Sequence, residues 1–226
     1  MLYPQGYPHE KLSQTRNIHR HFRLRGAAGY SVEFSEIACL KMIILLIGPS
    51  AVGKTTLGQL CASQMQNCEF VDLDDAVARL NGTSTAYESA VKFGLPKFLI
   101  DCRDIVANCA LAYASINVTL LIAVGEWALR MEEPEIWLSA YKTISLMAPA
   151  EEVYQRRNHL TEMSLEGYSR YNYSDARKKI FADCTIALHI SGLTQEESVE
   201  TLKEAVQSLR LQTYREGEYI HEKEIL

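Results

Sequence analysis

The sequence predicts an α/β fold, a parallel sheet covered by helices on both faces, and three observations lead there. Apolar strand-like runs alternate with helix-like stretches along the chain, the order that builds a parallel sheet through helical crossovers. The run at 42–47 is continuously apolar and that at 118–124 is so apart from Thr119, as strands buried on both faces should be. Between the first run and the next helix stands Gly48-Pro49-Ser50-Ala51-Val52-Gly53-Lys54-Thr55-Thr56, which matches G-x-x-x-x-G-K-S/T, the Walker A or P-loop pattern.

Taken in order, the first strand is 42–47, and the helix at 55–66 follows with Leu57, Leu60 and Cys61 at helical spacing. Residues 68–71 read as a short second strand ending at Asp72. Residues 74–80 read as a helix stopped by Asn81-Gly82. Two more helices are expected at 86–93 and 96–115, the second entered through Pro96. The third strand is 118–124 and the fourth 143–147, after which Pro149 opens a helix through Arg157. Residues 158–173 are polar, tyrosine-rich and without clear period, which predicts a mobile loop. A helix at 175–182, a fifth strand at 184–190 and an amphipathic helix at 194–211 close the domain, leaving a tail at 212–226.

The 226 residues suffice for one such domain, here 42–211. The formal net charge of -5 argues against a general nucleic-acid-binding role. No apolar run reaches the roughly eighteen residues of a membrane span, and the N-terminus carries no signal-peptide core. A cytoplasmic protein without a membrane partner is therefore expected. The six cysteines are scattered, with no C-x-x-C pair, and read as buried reduced thiols. Residues 1–41 stand apart: Lys11, Arg16, Arg20, Arg23 and Arg25, with His19 and His21, face no acid between Lys11 and Val32. They read as a flexible basic extension, with a targeting or anion-binding arm as the sharper alternative.

The loop at 48–56 carries the chemistry. Gly48 and Gly53 let the backbone turn its N–H groups toward phosphate oxygens, and the next helix adds free donors and the positive end of its dipole. Lys54 supplies a mobile charge for the β- and γ-phosphates, and the Thr55 hydroxyl can ligate Mg²⁺. The expected ligands are ATP and Mg²⁺. In parallel sheets, further site residues stand at the carboxyl ends of strands. Asp72 and Asp74 alternate around Leu73, so one could hold Mg²⁺ through water and the other accept a proton from an attacking hydroxyl. Capping of the following helix is the alternative for each. Strand three ends in Val124-Gly125-Glu126-Trp127, where Glu126 is a substrate or metal ligand or else the first acid of a helix. Arg156 and Arg157 are candidates to lie beside adenine, and Arg170 and Arg177 flank the expected loop as lid arginines.

The runs MIILLIGPSAVGKTTLGQLCA, CEFVDLDDAV, TISLMAPAEEVYQRR and FADCTIALHISGLTQEESVE resemble the shikimate kinase family and its relatives among small P-loop kinases. The resemblance covers most of 42–211. It implies an ATP- and Mg²⁺-dependent phosphotransferase with sheet order 2-3-1-4-5 and a closing lid. It assigns Asp72 to the Mg²⁺-linked aspartate, Asp74 to the one binding the acceptor hydroxyl, and Arg156 or Arg157 to the adenine-side arginine. The departures are specific. Where the family has F-R-x-x-E this chain reads Phe98-Leu99-Ile100-Asp101, and where it has G-G-G the chain reads Gly125-Glu126-Trp127. The R-P-L lid signature is absent, and Arg103 replaces the missing arginine only if the helix register slips.

The expected function is therefore a small-molecule kinase, monomer or homodimer, whose acceptor is a hydroxyl compound other than shikimate. A polyol, nucleoside or cationic acceptor suits Glu126 and Trp127. The alternatives are a nucleoside or nucleotide kinase with a base near Trp127 and Tyr87, an NTP-binding regulatory module with weak hydrolysis, and a nucleic-acid end kinase using the basic arm. No N-K-x-D follows the fourth strand, which argues against a GTPase.

Overall fold

Strand β1 (Ile43–Ile47) is apolar and buried at every position, the signature of a central strand. In the computed structural model, which describes residues 43–114, 117–156 and 163–223, it lies mid-sheet. With β2 (Cys68–Asp72), β3 (Thr119–Ala123), β4 (Lys142–Met147) and β5 (Ile186–His189) it forms a five-stranded sheet of order β2-β3-β1-β4-β5. Every pairing is parallel, and Leu45 stands in register with both Ile122 and Thr143. This is the expected order 2-3-1-4-5.

Period-two alternation divides the core between the sheet's faces. Ile43, Leu45, Ile47 and Ile122 pack with Phe98, Val106 and Phe181 from α4 (Leu95–Tyr113) and α8 (Asp175–Ala182). Ile44, Leu46 and Leu146 pack on the other face with Leu57 of α1 (Lys54–Gln64) and Leu202 and Val206 of α9 (Gln195–Lys223). Helix α2 (Leu73–Asn81) ends on Gly82 at φ 63, the left-handed stop that Asn81-Gly82 predicts. Helix α3 (Ala86–Phe93) has the predicted bounds, and Pro96 sits in the first turn of α4. Asn81 Nδ2 donates to Ser89 Oγ at 2.8 Å and to Asp101 Oδ2 at 3.0 Å, and Lys97 bonds Asp101. That partly buried cluster ties α2, α3 and α4 together.

Two elements differ from expectation. Residues 165–172, expected in a loop, form α7 (Leu165–Asn172), opened by Ser164, whose Oγ accepts from Gly167 N at 3.1 Å. Its buried positions are Tyr168 and Asn172, one turn apart, so an apolar period was never there to read. Residues 157–162, Arg157 included, lie outside the described residues, as do 1–41 and Met42. The last helix runs to Lys223 and not to 211. Among the residues whose burial is described, Leu209 is its last buried apolar position, and helix-favouring Gln, Arg, Glu and Lys follow in the sequence. Between β3 and β4, a 3₁₀ turn (Ala128–Arg130) and α5 (Pro134–Ser139) fill a stretch that carried no prediction. After β4, Pro149 precedes α6 (Ala150–Arg156).

Cys61, Cys68, Cys102, Cys109 and Cys184 are free thiols. Burial pushes Cys61 up to about 12, so it stays protonated. Among the described residues no helix is long and apolar enough to cross a membrane.

Candidate active site

The loop after β1 turns through Gly48 at φ 142 and Gly53 at φ 114, values that a side chain would strain. Gly53 caps α1 without a side-chain hydrogen bond, and the helix has no acid in its first turn. Its N–H donors and positive dipole end are thereby left to an external anion, as a phosphate cradle requires. Lys54 is buried, 8% exposed, and its Nζ donates to Gly48 O and Pro49 O, both at 2.9 Å. Burial lowers its pKa to about 8, although Asp74, Glu126 and Asp72 all favour its charge.

Asp72 takes the capping role weighed for it with one oxygen and meets Thr55 with the other. Its Oδ1 caps α2, accepting from Asp74 N at 3.0 Å and Asp75 N at 3.3 Å. Its Oδ2 accepts from the Thr55 hydroxyl at 2.6 Å. A hydroxyl and a carboxylate in contact beside a phosphate cradle are a suitable donor set for Mg²⁺, which keeps waters and phosphate oxygens as its other ligands. Among the described residues no group of three His, Cys, Asp or Glu is placed to hold a metal by protein ligands alone.

Asp74 stands two residues further along. Burial, then the Asp72 charge, raise its pKa to about 7, against the opposing pull of Lys54. Its Oδ1 is buried without a hydrogen-bond partner. The carboxylate lies directly over Gly125, where a Cβ would collide with both its oxygens, so only glycine fits that turn. Glu126 sits close enough to act on both Lys54 and Asp74, and its Oε2 is also buried and unpartnered. From α8, Arg177 Nη2 donates to Glu126 O at 3.0 Å, while Nη1 is buried without a partner.

Around this centre the Arg130 guanidinium lies 3.9 Å from the centroid of the Trp127 ring and bonds the Tyr171 hydroxyl. Tyr87 meets the same indole edge-on, centroids 5.8 Å apart. Helix α7 holds the phosphate loop from the other side. The Tyr168 hydroxyl donates to Ser50 O at 2.7 Å, and Ser50 N donates to Asn172 Oδ1 at 3.2 Å. Arg156 Nη1 donates to Val52 O at 3.3 Å, which places it against the loop, and its other arm pairs with Glu152.

The structure thus gathers Lys54, Thr55, Asp72, Asp74, Glu126 and Arg156 around the loop, while Trp127, next to Glu126 in the chain, packs with Arg130 and Tyr87. It does not bring Arg170 in: that side chain is exposed and bonded to Glu166 of its own helix. Arg177 is the arginine at the centre. Its signal was its spacing, since Arg177 precedes Ile180 and Phe181 by three and four residues and so shares the inner face of α8. Leu99 packs against the core, and Arg103 points its Nη2 at Met131 Sδ, 3.5 Å away, so Arg103 does not stand in for the absent cation.

The shikimate kinase family profile matches residues 50–210. This chain belongs to the shikimate kinase family. Among solved structures, shikimate kinase from Bacteroides thetaiotaomicron aligns with a TM-score of 0.59 at 19% identity, covering 74% of this chain and 98% of that one. Shikimate kinase from Aquifex aeolicus gives 0.55 at 23%, covering 75% and 99%. A gluconokinase from Sinorhizobium meliloti gives 0.50 at 15%, covering 78% and 98%. At these identities the likeness is one of fold, and the fold is that of small-molecule kinases. No curated protein sequence matches the chain significantly.

Proposed function

We propose that this member of the shikimate kinase family uses ATP to phosphorylate a hydroxyl of a small polar metabolite other than shikimate. The observation that carries the proposal is Asp74: a carboxylate with its pKa raised to about 7 and an oxygen unpartnered, beside the buried Lys54. A base poised near neutrality can take a proton from an acceptor hydroxyl as its oxygen attacks the γ-phosphorus. The electron pair of the broken bond leaves on the β-phosphate oxygen of ADP.

The loop at 48–56 would hold the ATP phosphates on its N–H groups, with Arg156 toward the adenine side. Mg²⁺, held by Thr55 and Asp72, would supply neutralisation of phosphate charge. Lys54 would exchange its two carbonyl acceptors for β- and γ-phosphate oxygens, whose negative charge would offset the burial that now weakens its own. Leu99 and Glu126 argue against shikimate, since an apolar side chain and an acid stand where the family grips a carboxylate. The Trp127 face is covered by Arg130, which favours a small acceptor over a stacked nucleobase. An acceptor screen read by ADP release tests the reading, and strong shikimate turnover abolished by Asp74→Asn would overturn the acceptor assignment.

A further inference from the structure

Resting on that kinase reading, we infer that the acceptor is a hydroxylated zwitterion, with an ammonium held by Glu126 and a carboxylate held by Arg177. Three site atoms are buried without partners: Asp74 Oδ1, Glu126 Oε2 and Arg177 Nη1. The reacting hydroxyl accounts for the first. The other two need ligand groups of their own.

A carboxylate only accepts hydrogen bonds and a guanidinium only donates them. The ligand must therefore present a donor to Glu126 and an acceptor to Arg177. The two side chains have the opportunity to neutralise each other, because Arg177 Nη2 already reaches the main-chain carbonyl of Glu126 at 3.0 Å. They do not pair; the guanidinium bonds the carbonyl and the carboxylate stands apart. Arg177 is 9% exposed, so its free N–H groups face little water. A neutral polyol could satisfy the hydrogen bonds, yet it would bring no opposite charge to the buried Arg177 guanidinium, which faces only a carbonyl and the Tyr171 ring, or to the half-buried Glu126 carboxylate. A simple anion would meet the charge of Glu126, and a simple cation that of Arg177. An ammonium and a carboxylate together answer both.

The spacing agrees. Arg177 is bonded to the backbone of the very residue whose side chain carries the other charge, so the two lie within one residue's reach. The head group of an α-amino acid holds its opposite charges on a single carbon, a match in scale. Its side-chain hydroxyl would then lie toward Asp74, whose carboxylate stands against Gly125, the residue before Glu126. Leu99 contributes no second cation, so the carboxylate-binding capacity is that of Arg177 alone.

The test uses the full-length wild-type chain with matched probes: L-homoserine, 4-hydroxybutyrate, 3-amino-1-propanol and 1,3-propanediol, and the corresponding set built on L-serine. ADP release and ligand-induced thermal shift are both read. The expected result is turnover of a hydroxy-amino acid with kcat/KM at least about tenfold above its deaminated and decarboxylated analogues, the factor for one lost charged contact. Glu126→Gln should narrow the gap to the deaminated analogue only, and Arg177→Gln the gap to the decarboxylated one only. Should either variant fail to fold, the wild-type panel still decides. Equal use of the amino acid and its deaminated analogue overturns the inference. So does preference for a neutral polyol, or activity confined to metabolites lacking either charge, and both leave the kinase reading intact. ADP release that no acceptor stimulates defeats the kinase reading and this inference with it.

Discussion

Replacing Asp74 by Asn should separate stability from activity in a pH-dependent way. The native carboxyl has its pKa raised from 3.8 to about 7, chiefly by burial. A raised folded-state value stabilises the fold below the unfolded value, and that contribution is lost as pH rises through about 7. Above neutrality the wild type therefore carries a buried charge costing about 4 kcal/mol, at about 1.4 kcal/mol per pKa unit. Asparagine keeps the shape and removes the charge. Part of the gain is cancelled because Lys54 loses the neighbour that most favours its proton. A net stabilisation of about 1–2 kcal/mol at pH 8 follows, or roughly 3–6 °C in Tm for a domain of this size. At pH 4 the difference should nearly vanish. Turnover should fall by about 10²–10⁴, the worth of a positioned base. Thermal melts at the two pH values, with ADP-release assays, measure all three. A variant less stable than wild type at pH 8, or one still active, would refute the reasoning.

Gly125→Ala should lower turnover about as far as Asp74→Asn, since the added Cβ collides with the Asp74 carboxylate; steady-state kinetics on the folded variant checks this. Asn172→Ala and Tyr168→Phe remove the contacts from α7 to Ser50 and should raise KM for ATP several-fold while leaving acceptor KM unchanged. Arg130→Ala uncovers the indole of Trp127 and should shift its fluorescence and raise acceptor KM without changing that for ATP. The acid limb of kcat/KM should report a group near pH 7, with the rate rising as Asp74 ionises, and that limb should be missing from the residual rate of Asp74→Asn.

The sheet and the phosphate loop were legible because their signals are local. β1 is apolar at all five positions, and the loop's glycines stand where φ is positive. Asp72 could be read only as one of two alternatives, since a caps-or-metal choice assumes one oxygen, whereas its two oxygens do separate things. Helix α7 was hidden by its own chemistry. Tyr168 is fully buried yet polar at its tip, and its reward, a hydrogen bond to Ser50, comes from a residue 118 positions away. Arg177 was visible as a lid candidate but not as the buried arginine of the site, because burial of a guanidinium depends on what faces it. Spacing could place it on the inner face of α8, but not the Glu126 carbonyl and the Tyr171 ring that face it there.

The account's central claim is that Asp74 takes the proton from a hydroxyl of a small acceptor during phosphoryl transfer. Mass-spectrometric detection of the phosphorylated acceptor, alongside ADP release, by wild type and Asp74→Asn tests it most directly. The account predicts ADP formed in step with a phosphorylated acceptor in the wild type, and both lowered together by about 10²–10⁴ in the variant. Slow ADP release that needs no acceptor, yields no phosphorylated product and survives Asp74→Asn would contradict it.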